Sequence, residues 1–144
     1  MADTDTMRRA VVAEALTWLR TPYHHAARIK GVGVDCAQFL IAVYAATGLI
    51  DDFTPDRYPP DWHLHRTAER FLSLVLDRAR PTDDPGPGDV VLMRFGRAFS
   101  HGGVVVGDGH IVHAFLGRGV ELADLSEWAR RPKRYFTLIG AHEG

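Results

Sequence analysis

The apolar pattern of this chain changes character once, and that change dictates the fold class. Up to about residue 80 apolar side chains recur at helical spacing. After Pro81-Thr82-Asp83-Asp84-Pro85-Gly86-Pro87-Gly88 the chain becomes short β-rich runs separated by turn signals. A first helix, capped by Thr4 or Asp5, is predicted through about Arg20, with Val11, Ala15, Trp18 and Leu19 on its apolar face. Thr21-Pro22 ends it, and Tyr23 to Val34 reads as a loop. A second helix runs from Cys36 to about Thr47 with Gly48 as its stop. It is apolar nearly all round, which makes it the buried central helix. Asp51 to Asp61 reads as a loop and Trp62 to Arg78 as an amphipathic helix.

Strands are predicted at Asp89–Phe95, His101–Val106, His110–Phe115, Gly119–Leu122 and Tyr135–Ile139, with a short helix at Leu125–Arg130. Helices first and antiparallel strands second imply an α+β domain with helices on one side of a β-meander. With 144 residues and 46% hydrophobic content, the chain suffices for one domain spanning 1–144, with a helical insertion at about 51–80.

Charge excludes one large class of partner. Seventeen basic residues face 18 acidic ones, a net charge of -1, so there is no electrostatic case for nucleic acid. The cluster Arg130-Arg131-Pro132-Lys133-Arg134 reads as a solvated turn. No run reaches transmembrane length. The N-terminus begins acidic and lacks secretory character, so the expectation is a protein made in the cytoplasm without a signal peptide.

Cys36 is the sole cysteine, so it forms no internal disulfide. It follows Gly31-Val32-Gly33-Val34-Asp35 and opens the central helix, where the macrodipole favours thiolate over thiol. A cysteine nucleophile needs a base, and the base needs a group that orients it. His101 and His113, on neighbouring strands, are the candidates. A three-residue loop at Gly107 to Gly109 puts His113 opposite Gly103 and both histidines on one face; a two-residue loop puts them on opposite faces.

Local sequences around these residues resemble one family. Gly33-Val34-Asp35-Cys36-Ala37-Gln38-Phe39 is similar to the D-C-S-G-F/L signature of NlpC-type cell-wall cysteine peptidases. Phe99-Ser100-His101-Gly102-Gly103-Val104-Val105-Val106-Gly107-Asp108-Gly109 resembles that family's S-H-V-G-I-Y-x-G-x-G segment, and Ile111-Val112-His113-Ala114 its I-H-A element. Thr21-Pro22-Tyr23 and Pro87-Gly88-Asp89-Val90-Val91 resemble its T-P-Y and P-G-D-L-V.

The resemblance implies a papain-like fold and a Cys-His-His triad cleaving an amide bond in peptidoglycan stem peptides, without a cofactor. It makes Cys36 the nucleophile, His101 the base and His113 the orienting residue. Tyr23 and the Cys36 N–H face the oxyanion, and Asp35, Gln38 and Ser100 contact substrate. Ala37-Gln38 stands where the family has Ser-Gly, which bears on the substrate more than on the nucleophile. Asp56-Arg57-Tyr58-Pro59-Pro60-Asp61-Trp62 resembles a phage and gene-transfer-agent branch, implying phage-tail or secretion-particle partners and delivery to the cell wall by such an apparatus.

Three rival readings bear on the same residues. A zinc site would draw on His24-His25 or His63-x-His65, but neither has a ligand-pattern partner, so no metal is expected. A non-catalytic assembly module is the second, and a hydrolase or acyltransferase acting on another amide is the third.

Overall fold

The computed structural model describes residues 3–52, 77, 79–95 and 98–140. Nearly all of the loop and helix expected between Asp51 and Arg78 lies outside the described residues, as does the phage-like segment 56–62.

Helix α1 spans Thr4–Leu16 and is capped by Asp3, whose carboxylate accepts the Thr6 N–H at 2.7 Å. The cap is thus one residue earlier than expected, and the helix ends well short of Arg20. The Thr17 hydroxyl donates to the Glu14 carbonyl at 2.6 Å, competing with the next helical turn. Arg20 adopts a left-handed φ of 73°, and its N–H is taken by Val120 O at 2.9 Å. A contact with a distant strand therefore overrides the local periodicity.

The glycine-rich loop holds a small antiparallel hairpin, β1 (Arg28–Ile29) with β2 (Gly33–Val34), absent from the sequence reading. Tyr23 bridges Val34 in parallel; His24 N–H donates to Val34 O at 3.1 Å and Val34 N–H to Pro22 O at 3.0 Å. These bonds hold Tyr23 beside Val34, which lies two residues before the start of α2, Cys36–Ala46.

Helix α2 has Asp35 as its N-cap and eight buried residues, Cys36 among them. Gly48, at φ 77°, supplies the left-handed residue beyond its end. The helix packs on α1 and on Trp18 just beyond it, whose ring meets Phe39 edge to face at 6.2 Å, and its Leu40, Val43 and Tyr44 share one core with the sheet. The buried Tyr44 hydroxyl donates to Gly88 O at 2.8 Å.

Six antiparallel strands form one sheet: β3 (Arg80–Pro81), β4 (Val90–Phe95), β5 (Ala98–Gly107), β6 (His110–Phe115), β7 (Gly119–Asp124) and β8 (Lys133–Thr137), in the order β3-β8-β4-β5-β6-β7. A 3-10 helix, Leu125–Trp128, stands where the short helix was expected. One face of the sheet carries Val90, Leu92, Val104, Val112 and Ala114 against the helices. The other carries Val91, Met93, Val105 and Ile111 in a second, smaller core closed by Trp128 and Tyr135.

Two β-bulges set the register of β5. Against β6, Gly107 pairs with His110 across a two-residue turn, while Val105 pairs with Ile111, leaving Val106 as the extra residue. The bulge restores the register that a two-residue turn alone would lose: Val104 pairs with Val112, and a Cβ on Gly103 would lie 3.1 Å from His113 Cβ. Against β4, Met93 pairs with His101 and Arg94 with Phe99, so Ser100 is bulged immediately before His101.

Gly119 ties this sheet to the start of the loop bearing Tyr23. Its φ is 78°, and a Cβ there would sit 2.6 Å from Thr21 O, beside the Val120 N–H to Thr21 O bond of 2.9 Å. Gly119→Ala is expected to destabilise the fold by about 1–3 kcal/mol through the strained backbone. Chemical denaturation of both proteins checks this, and an unchanged midpoint would refute it.

Candidate active site

Cys36 occupies the first turn of α2, and its side chain points at the sheet. It is 2% exposed. The backbone N–H groups of Gly102, Ala37 and Cys36 itself face its sulfur. Even so, burial pushes the Cys36 thiol strongly up, and the neighbouring Asp35 carboxylate pushes it further; the N–H groups oppose both only in part. The pull toward thiolate expected at the helix start is thus outweighed. The field of a helix end contributes about 0.3–1 kcal/mol, whereas removing a charge from water costs several kcal/mol.

Asp35 is fully buried. Its Oδ1 accepts the Gln38 N–H and its Oδ2 the Ala26 N–H, both at 2.8 Å. It therefore caps α2 and pins the loop carrying Tyr23. Gln38 is also buried, at 4% exposure. Ser100 lies in β5 as the bulged residue, and its side chain is outside the described residues.

The two histidines meet. His101 Nε2 and His113 Nδ1 lie 2.7 Å apart, both side chains buried. The spacing of β5 and β6 left their common face undecided; the bulge at Val106 puts them together. His113 continues the chain of contacts: its Nε2 is 2.9 Å from Glu121 Oε2, and Arg118 donates to the same oxygen at 3.2 Å. Burial holds the His113 imidazole below its ordinary value, against the opposing pull of Glu121.

Aromatic rings wall this pair. Phe95 and Phe115 each meet the His101 ring edge to face at 5.3 Å, and Trp128 meets that of His113 at 5.9 Å. Arg131 of the basic cluster stacks over Phe95 at 3.8 Å and Arg134 over Phe99 at 4.3 Å, so the cluster is more than the solvated turn expected.

Cys36, His101 and Tyr23 line one cavity of about 130 Å³, whose other walls are Phe95, Ala114, Phe115 and Leu116. His24 and His25 do not line it. Among the described residues no group of three His, Cys, Asp or Glu side chains is arranged to hold a metal. Sequence reasoning missed Glu121, Arg118 and the aromatic wall. Glu121 was within reach of it: a three-residue turn, Leu116-Gly117-Arg118, pairs Phe115 with Gly119 and so places Glu121 across from His113.

Cys36, at the N-terminus of a buried helix on an antiparallel sheet, thus shares a cavity with His101, whose ring leans on that of His113. Residues 20–137 match the NlpC/P60 family. The chain belongs to the NlpC/P60 family. Solved structures of NlpC/P60 proteins share its α+β fold. The NlpC/p60 domain of the peptidoglycan hydrolase SagA superposes with a TM-score of 0.58 at 20% identity, covering 88% of this chain and 96% of that one. NlpC1 from Trichomonas vaginalis gives 0.62 at 20% identity over 92% of this chain and 42% of its own length. An NlpC/P60 family protein from Bacillus cereus gives 0.61 at 19% identity, over 92% and 40%. The chain thus spans nearly all of the SagA domain and under half of the other two. No curated protein matches it. Among the described residues no helix is long and apolar enough to cross a membrane.

The buried His113 makes stability depend on pH. Its ordinary value is 6.5 and the folded state lowers it, so below that pH the unfolded chain takes up a proton that the native one refuses. Stability is expected to fall as pH drops from 7 through 6.5 and below, and His113→Asn to remove that part of the slope. Denaturant midpoints at several pH values test this; equal slopes in the two proteins would contradict it.

Proposed function

We propose that this NlpC/P60 domain is a cysteine peptidase that hydrolyses an amide bond in peptidoglycan stem peptides. The observation that carries the reading is the 2.7 Å contact between His101 and His113, with His101 and Cys36 lining one cavity. Family membership and the similarity to the domain of a protein described as a peptidoglycan hydrolase support the substrate class.

In this mechanism Cys36 is the nucleophile, His101 the general base and His113 the residue that orients it. Because burial disfavours a lone thiolate, the proton moves from Cys36 Sγ to His101, forming thiolate and imidazolium together. The sulfur attacks the amide carbonyl carbon. The oxyanion is met by the Cys36 N–H and the Tyr23 hydroxyl. As the C–N bond breaks, His101 returns the proton to the leaving amine, leaving a thioester. Water, deprotonated by His101, then attacks the thioester and releases the carboxylic acid with free Cys36. The apolar walls of Phe95, Phe115 and Leu116 suit an aliphatic part of the stem peptide.

Purified muropeptides incubated with the protein and analysed by mass spectrometry test the proposal. A new amine and carboxylic acid are expected from one stem-peptide bond, with none from Cys36→Ala. His101→Ala is expected to lower kcat/KM by about 10²–10⁴-fold, and Tyr23→Phe by about 10²–10³-fold. Absence of cleavage of every stem peptide by the unaltered protein, or equal cleavage by Cys36→Ala, would overturn it.

A further inference from the structure

We infer that Glu121 is a positioning residue that fixes the tautomers of both imidazoles, leaving the His101 Nδ1 lone pair as the proton acceptor for Cys36. A carboxylate only accepts hydrogen bonds. The Glu121 Oε2 to His113 Nε2 contact of 2.9 Å therefore requires a hydrogen on Nε2. Burial keeps His113 neutral near pH 7, so that hydrogen is its only one and Nδ1 is bare. The bare Nδ1 lies 2.7 Å from His101 Nε2, which must then be the donor. A neutral His101 that carries its hydrogen on Nε2 has its lone pair on Nδ1.

The direction matters because two imidazoles facing each other have no preferred sense. With the opposite sense, His113 Nδ1–H donates to His101 Nε2, and the His101 hydrogen sits on Nδ1. That form cannot accept a proton from sulfur. Glu121 breaks the symmetry. It stands directly opposite His113 in the β6–β7 ladder, so the backbone register holds it there. Arg118 donates to the same Oε2 at 3.2 Å while stacking over Phe115 at 5.2 Å. When His101 becomes an imidazolium, the same chain of donors points its charge toward the carboxylate, which favours the ion pair with Cys36.

The functional role rests on reading Cys36 and His101 as nucleophile and base, but the tautomers can be measured without any substrate. In the protein labelled with ¹⁵N at histidine, NMR near pH 7 is expected to show pyridine-type Nδ1 and pyrrole-type Nε2 on both His101 and His113. Protonated Nδ1 on either ring would overturn the inference, and this measurement needs no variant. In Glu121→Gln, whose amide can donate as well as accept, the single tautomer pattern is expected to be lost. Alkylation of Cys36 by iodoacetamide at pH 7 is expected to slow by about tenfold, the size of a single charge removed one imidazole away from His101 in a water-poor site. Unchanged tautomers and an unchanged alkylation rate in that variant would refute a positioning role. Failure to cleave muropeptides with the expected tautomers in place would count against the proposed substrate alone.

Discussion

The site depends on a close approach of helix to strand at Gly102. A Cβ on Gly102 would lie 2.8 Å from Leu40 Cδ1 and 3.1 Å from Leu92 Cδ2, so no side chain fits between α2 and β5 without displacing the core. The same residue turns its N–H to the Cys36 sulfur. Its neighbour Gly103 serves the other face: a Cβ there would meet His113 Cβ and Val112 O, each at 3.1 Å. Two adjacent glycines thus let a helix pack on one side of the strand and an imidazole on the other.

Electrostatics give this geometry its chemical character. Cys36 is held in a buried place that resists ionisation, beside a capping carboxylate that resists it further. Asp35 is nonetheless needed where it is, because two backbone N–H groups, one from the helix and one from the Tyr23 loop, end on it. The charge that organises the helix start therefore works against the thiolate, and in the proposed mechanism the compensating positive charge comes from His101. Apolar rings around the histidine pair keep water away and strengthen every charge–charge contact within.

Much of this was legible in the sequence. The uniformly apolar stretch after Cys36 marks the central helix, and the β-rich runs mark four of the five long strands closely, since burial imposes both patterns. Asp35 before Cys36 is of the residue type that caps helices. What was not legible comes from tertiary pairing. The bulges at Ser100 and Val106 leave no periodic mark, yet they decide where His101 and His113 point. The early end of α1 follows from a hydrogen bond to Val120, a hundred residues away in sequence. The depth of Cys36, which outweighs the helix-start effect on its thiol, is likewise a property of packing.

The central claim is that Cys36 ionises only in partnership with His101, and the thiol's own titration tests it most directly. The rate of Cys36 alkylation is to be followed across pH in the unaltered protein and in His101→Ala. Reaction through the neutral range is expected for the first, and reaction only at strongly alkaline pH for the second. Coincident profiles in the two proteins would contradict the claim.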